Sequence, residues 1–189
     1  MPSFFLKQDL SSFSLPDGFR GRSAVFVQFW WLVQSTIFGC SPQFAYGFRN
    51  WILRLFGAKV GKSVIIRPSV RITYPWKVEI GDYVWIGDNV ELYSLGHIFI
   101  GNNSVISQRS YLCSADHDFS RPSFPIQAKN ISISDQVWVA SDVFIAPGVS
   151  IGEAAVIGAR SSVFSDMPSG MVCMGSPCKP VKARTTKEF

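Results

Sequence analysis

The chain has 189 residues, 47% of them hydrophobic and only 16% charged, which excludes an extended disordered polypeptide and leaves room for one domain with a sizeable core. Its net charge of +5 averages three regions: residues 1–78 hold ten Lys/Arg against two Asp/Glu, residues 79–178 four against ten, and residues 179–189 four against one. That partition excludes a uniformly basic nucleic-acid-binding surface.

The first segment, residues 1–58, concentrates 14 of the 27 aromatic residues. It does not open with a basic stretch, an apolar run and a small-residue cleavage site, so no secretory signal is expected. No charge occurs between Arg22 and Arg49, and Ala24–Phe38 reads AVFVQFWWLVQSTIF. That run is shorter than the roughly 20 residues of a spanning helix, and Gln28 and Gln34 interrupt it. The expectation is an amphipathic helix packed on the body of the protein. The alternative is peripheral membrane contact through residues 20–56, helped by Trp30, Trp31 and the flanking Arg20, Arg22, Arg49 and Arg54. A second helix is predicted where Phe44, Phe48, Trp51, Ile52, Leu55 and Phe56 recur at helical spacing, with Gly57 as its stop.

From Val60 the period becomes six. Aliphatic residues stand at Val60, Ile66 and Ile72, at Ile80, Ile86 and Leu92, at Ile100, Ile106 and Leu112, and from Ile133 through Val139, Ile145, Ile151 and Ile157 to Val163. Strands have period two and helices 3.6, so neither explains the run. Short parallel strands joined by turns do, three to a triangular coil of 18 residues, with coils about 4.8 Å apart. The N-terminal helices would cover one open end of the stack. Steps of eight at 72–80 and 92–100 predict two-residue bulges. The 21 residues from Leu112 to Ile133 predict an extruded loop, 118–130, marked by Pro122 and Pro125 and with His117 at its base. Residues 167–189 read as a basic C-terminal tail.

Cys40, Cys113, Cys173 and Cys178 form no CxxC pair and the chain has only two His, so no metal site is expected and the thiols are read as reduced, in the cytoplasm.

In RLFGAKVGK (54–62), YLCSADHDF (111–119), ISDQVWVASDVFIAPGVSIGEAAVIGARSSV (133–163) and GSPCKPVK (175–182), the chain resembles the hexapeptide-repeat acyltransferases. Within them it is similar to sugar O-acetyltransferases of the colanic-acid-biosynthesis, galactoside and maltose types. The resemblance implies a mainly β fold: a left-handed parallel β-helix of hexapeptide repeats over residues 59–166, with N-terminal α-helices and the extruded loop. The hand comes from the family, since ordinary crossover rules favour the other. It also implies acetyl-coenzyme A as co-substrate, a sugar or glycan-intermediate acceptor, and a homotrimer with sites between subunits.

The family's histidine general base matches His117 in SADHD. A sugar hydroxyl is a poor nucleophile until its proton is taken, and an imidazole with a reference pKa near 6.5 suits that task. His97 occupies the equivalent place one repeat set earlier, so the two imidazoles are expected one coil apart, with His97 on the acceptor, on His117, or displaced to the surface by the two-residue bulge. Ser94 is the match to an acceptor-binding Asn of the galactoside type. Cys113 stands too far along a strand to pair with His117 and is read as packing. Ser141 and Ala159, 18 residues apart, match coenzyme-binding positions, with Ala140 and Arg160 in the same groove. Lys179 and Lys182 match two basic residues that follow the family's GxPC motif, and with Arg184 they suit nucleotide phosphates. Phe164 and Ser165 replace a family Thr-Lys pair, which removes one phosphate contact.

The reading that follows is an enzyme moving acetyl from acetyl-coenzyme A to a sugar hydroxyl, in the cytoplasm or at the inner face of the membrane. An amino-sugar or antibiotic N-acetyltransferase of the same fold, a γ-carbonic-anhydrase-like protein and a non-catalytic β-helix are the alternatives.

Overall fold

In the computed structural model, which describes residues 7–185, the six-residue period is a triangular coil of short parallel strands. One face holds Lys59–Val60, Val78–Ile80, Ile98–Ile100, Ile131–Ile133 and Ser150–Ile151. A second holds Ile65–Ile66, Trp85–Ile86, Val105–Ile106, Trp138–Val139 and Val156–Ile157. The third holds Arg71–Ile72, Glu91–Tyr93, Tyr111–Cys113, Phe144–Ile145 and Ser162–Val163. Register stacks like on like: Ile66, Ile86, Ile106, Val139 and Ile157 form one column, and Ile72, Leu92, Leu112, Ile145 and Val163 another. Every side chain in these two columns is at most 1% exposed. Each contributes about 1.5–3 kcal/mol of apolar burial, so the repeat is the core itself.

The glycines that follow the aliphatic positions answer to crowding between coils. A Cβ on Gly101 would lie 2.6 Å from the Asp135 nitrogen, and one on Gly87 would lie 2.7 Å from the Gln108 nitrogen. At the first corner each N–H is taken by the next coil: Asp82 N–H donates to Asn102 Oδ1 (2.8 Å) and Asn102 N–H to Asp135 Oδ1 (2.7 Å). Gly101→Ala is therefore expected to cost about 1–3 kcal/mol by overpacking. It should lower the denaturant midpoint with little change in slope, and an unchanged midpoint would mean that the coils part freely at this corner.

Two helices close the N-terminal end of the stack: α1 (Ala24–Val33), capped by Ser23 and continued by a π turn over Gln34–Phe38, and α2 (Tyr46–Leu55). The first coil has no neighbour on its outer side, so its strand edges present unpaired polar groups. Side chains of the helices satisfy them. Trp30 Nε1–H donates to Ile72 O (2.8 Å), Ile72 N–H to Gln34 Oε1 (2.6 Å), Asn50 Nδ2–H to Val64 O (2.8 Å) and Arg49 Nε–H to Ile66 O (2.7 Å). Arg54 reaches Val60 O and Gly61 O at 3.0 and 2.7 Å.

The helices thus cover the open end as expected, but α2 presents a different face. Arg49, Asn50, Ile52 and Leu53 point inward, whereas Phe44, Phe48, Trp51 and Leu55 are exposed. Arg49, expected to flank a helix at the surface, is buried. The reason is chemical: a buried carbonyl left unpaired costs about 1–3 kcal/mol, so the coil end selects donors over aromatic rings. Among the described residues no helix is long and apolar enough to cross a membrane.

Two boundaries move. The extruded segment begins at Ala115, and Ala115–His117 pairs antiparallel with Ile126–Ala128 as a hairpin. His117 therefore ends the outgoing strand of the hairpin, at the base of the loop over residues 118–125. Residues expected as a free tail continue the coil: Met171–Gly175 pairs parallel with Val156–Ile157 and returns antiparallel as Cys178–Ala183.

Candidate active site

The hairpin leaves the third face at a corner fixed by Ser114. This buried hydroxyl accepts from the Gly96 N–H (2.9 Å) and donates to Tyr93 O (2.6 Å), which ties the exit point to the coil below. Three residues out, His117 faces Ile126 across the hairpin. Its Nδ1 lies 2.8 Å from the carbonyl oxygen of Phe124. A carbonyl can only accept, so Nδ1 carries the hydrogen, and in the neutral ring Nε2 keeps its lone pair.

Aromatic side chains hold the ring in place. Phe124 stacks on the imidazole at 4.3 Å between centroids and 9° between planes, from a residue with φ of +47°. Left-handed φ is uncommon for a bulky residue and is sustained here by the hairpin around it. Phe13 of the N-terminal arm approaches the imidazole at 6.1 Å. The arm is pinned along its length: Asp9 N–H donates to Pro122 O (2.8 Å), Trp76 Nε1–H to Arg20 O (2.7 Å) and Lys77 Nζ to Phe19 O (2.7 Å). Phe13 and Phe124 were not found by sequence reasoning, and neither falls on the six-residue period.

His97 and Ser94, expected as a neighbour of His117 and as an acceptor contact, make other contacts. The register sets Ile98 against Ile131, and His97 N–H donates to Asn130 Oδ1 (3.0 Å), so Asn130 stands over His97 where His117 was expected. The chain leaves the coil between those positions, which is why counting repeats failed. The His97 ring stacks with Phe99 at 5.8 Å instead. Ser94 is fully buried; its hydroxyl accepts from Tyr74 N–H (2.8 Å) and donates to Tyr74 O (3.0 Å). It ties two coils together and has no face for a sugar, so the expected acceptor contact is corrected to a role in the fold. Cys113 Sγ lies 3.1 Å from Ala115 O and is half-buried.

Ser141 and Ala159 do stack, with Arg160 N–H donating to Ser141 O (2.9 Å). They sit at the corner between the second and third faces, where small side chains leave the backbone accessible. Arg109 and Asp142 form a bidentate pair at the same corner, at 2.7 and 2.8 Å, and the Arg109 hydrogen bond holds the Asp142 carboxyl below the usual carboxylate range. Lys179 and Lys182 are exposed on the returning strand, opposite Met174 and Val172. Arg184 is committed elsewhere, to Gln136 O and Ala154 O at 2.8 and 3.1 Å. Among the described residues no cluster of three or more His, Cys, Asp or Glu is placed to hold a metal ion.

Within one chain these two groups belong to different corners. His117 departs from one corner of the prism and Ser141–Ala159 occupy another. The third face lies between them, about 13 Å for four extended residues. Its outer surface is a column of rings, Tyr93 on Tyr111 (6.0 Å), Tyr111 on Phe144 (5.8 Å) and Phe144 on Phe164 (5.8 Å). Burial pushes the Tyr111 phenol well above its ordinary pKa, so it stays a neutral hydroxyl in that column.

A prism of stacked hexapeptide coils, with an oriented imidazole on an extruded hairpin and a small-residue corner, is the architecture of the left-handed β-helix acyltransferases. No protein-family model matches the chain. It is 57% identical, over 96% of its own length and all of the relative's, to the Escherichia coli (strain K12) protein named as colanic acid biosynthesis acetyltransferase WcaF. It is 30% identical to the galactoside O-acetyltransferase of the same strain, over 71% of this chain and 68% of the relative. Among solved structures, galactoside acetyltransferase in complex with coenzyme A superposes with a TM-score of 0.78 at 24% identity, covering 91% of this chain and 85% of that one. The chain belongs to the hexapeptide-repeat acetyltransferase family.

Proposed function

We propose that the protein transfers an acetyl group from acetyl-coenzyme A to a hydroxyl of a sugar or polysaccharide precursor in the cytoplasm, with His117 as general base. The observation that carries this reading is the 2.8 Å contact of His117 Nδ1 with Phe124 O, which leaves Nε2 as the proton acceptor. Nε2 takes the hydroxyl proton as the sugar oxygen attacks the thioester carbonyl. The tetrahedral intermediate then collapses, the carbon–sulfur bond breaks, and the imidazolium returns the proton to the departing thiolate. Coenzyme A bound to a structural neighbour supports the donor, and the relatives' names support O-transfer to a carbohydrate.

The separation of the two corners supports a homotrimer in which His117 of one chain faces the Ser141–Ala159 corner of the next. Lys179 and Lys182 then meet the coenzyme phosphates.

Phe124 acts as a positioning residue. Phe124→Ala is expected to lower kcat by about ten- to a hundredfold through misplacement of the base, with KM for acetyl-coenzyme A little changed. A fall in coenzyme affinity alone would instead place Phe124 in the donor site.

The reaction class is tested by incubating the protein with acetyl-coenzyme A and a panel of sugars, nucleotide sugars and amino sugars, with the products followed by mass spectrometry. An alkali-labile acetyl ester on a neutral sugar is the expected product. Alkali-stable acetyl amide on the amino sugars alone would overturn O-transfer.

A further inference from the structure

The outer faces of the two cap helices carry large apolar side chains that neither the coil nor the catalytic hairpin uses. Phe48, Trp51 and Leu55 form a stripe along α2, with Phe44 in the turn before it, and Val25, Phe29 and Leu32 form another along α1, each between 42% and 82% exposed. The capping bonds come from Trp30, Gln34, Arg49, Asn50 and Arg54 and none from the apolar stripes, so the fold does not require an apolar exterior; polar residues in the stripes would leave those bonds in place. The two stripes approach where Phe29 of α1 meets Phe56, the residue after α2, at 5.6 Å between ring centroids, and exposed apolar surface of this kind marks an interaction site.

The charge around the patch has one sign. From residue 18 to residue 78 there is no Asp or Glu. Lys59 and Lys62 share their charge with Glu79 and Asp82, at 2.7 and 3.6 Å. Arg22 and Arg54 are exposed and, among the described residues, pair with no carboxylate; Arg54 keeps its positive charge while its Nε and Nη2 donate to Val60 O and Gly61 O. Arg22 instead lies over the Phe26 ring at 5.8 Å.

We infer that this face docks on an anionic lipid bilayer, with the stripes of α1 and α2 entering the boundary between headgroups and acyl chains and the arginines meeting lipid phosphates. Trp51, apolar in body with an indole N–H, is the residue type that settles at that boundary. A second copy of the chain is a poorer occupant. A symmetric contact would bring two positively charged rims together, whereas anionic headgroups supply the charge that residues 18–78 lack. Docking there would hold the enzyme where a lipid-carried glycan is presented.

The test is co-sedimentation of the full-length protein with vesicles of phosphatidylcholine alone and of phosphatidylcholine with phosphatidylglycerol. Binding to the anionic vesicles is expected to be about tenfold or more tighter, and to weaken as salt is raised. The double variant Phe48→Ser/Trp51→Ser should lose about tenfold or more of that binding while its melting temperature stays at the wild-type value, because neither side chain takes part in the cap. Three outcomes overturn the inference: wild-type protein that stays in the supernatant with both vesicles, a double variant that binds as wild type does, or ultracentrifugation showing a larger wild-type oligomer that the double variant dissolves. In the last case the face is a contact between copies.

Discussion

His117→Ala should lower kcat for acetyl transfer by about 10²–10⁴-fold, the range a positioned general base contributes, while acetyl-coenzyme A still binds. The fold should be unaffected, because the imidazole sits on an extruded hairpin and, among the described residues, its single polar contact is with Phe124 O. The thioester is already activated, so the residual rate reflects binding and orientation of the two substrates. Activity within about tenfold of wild type would remove His117 from the base role. The two-corner geometry extends the prediction. Ala159→Trp should block the coenzyme groove without touching the hairpin. If each site takes its histidine from one chain and its groove from the next, mixed trimers of the two inactive variants regain roughly a quarter of wild-type activity. A mixture no more active than its parents would put both parts of the site in one chain.

The largest effect on stability should come from Arg49, which is fully buried among backbone carbonyls with no acidic partner among the described residues. Its guanidinium donates to Ile66 O, Ser41 Oγ, Pro42 O and Gln43 O at 2.6–2.8 Å and lies over the Tyr46 ring at 5.2 Å. Burial lowers its pKa from the ordinary arginine value, but a guanidinium stays protonated in proteins, so the cation is held by dipoles and a ring face. Arg49→Ala removes the donors and leaves several buried carbonyls unpaired, a loss of about 3–5 kcal/mol by analogy with breaking a buried ion pair. A drop in Tm of roughly 10 °C or more follows for a domain of this size. Arg54→Ala, on the same helix but exposed, should cost about 1 kcal/mol or less. Equal losses at the two positions would contradict the account of how the coil end is closed.

These residues also mark what could be read in advance. The coil was legible because each buried column repeats one side chain at one interval, and no other element has that interval. His117 stood out because its stretch matches the family and because the period breaks beside it. The surroundings of His117 were not legible. Phe13 reaches it across about a hundred positions of chain, and Phe124 does so through a left-handed backbone turn that no pattern announces. Counting repeats sets His97 beside His117 because it assumes that the chain stays in the coil, and the chain leaves at Ala115. Likeness to a family position points to Ser94, and its hydroxyl bonds the Tyr74 backbone instead. Helix α2 has apolar residues on two faces, so periodicity alone favours burying the more aromatic one. The open edge of the first coil decided otherwise, and that edge exists only in three dimensions.

The most direct test of the central claim is a structure of the protein with coenzyme A and an acceptor sugar. The account predicts a sugar hydroxyl within hydrogen-bond reach, about 2.6–3.2 Å, of His117 Nε2, with the pantetheine arm running along the Ser141–Ala159 corner of a neighbouring chain. Coenzyme A bound along another face, or an acceptor hydroxyl held away from His117, would contradict it.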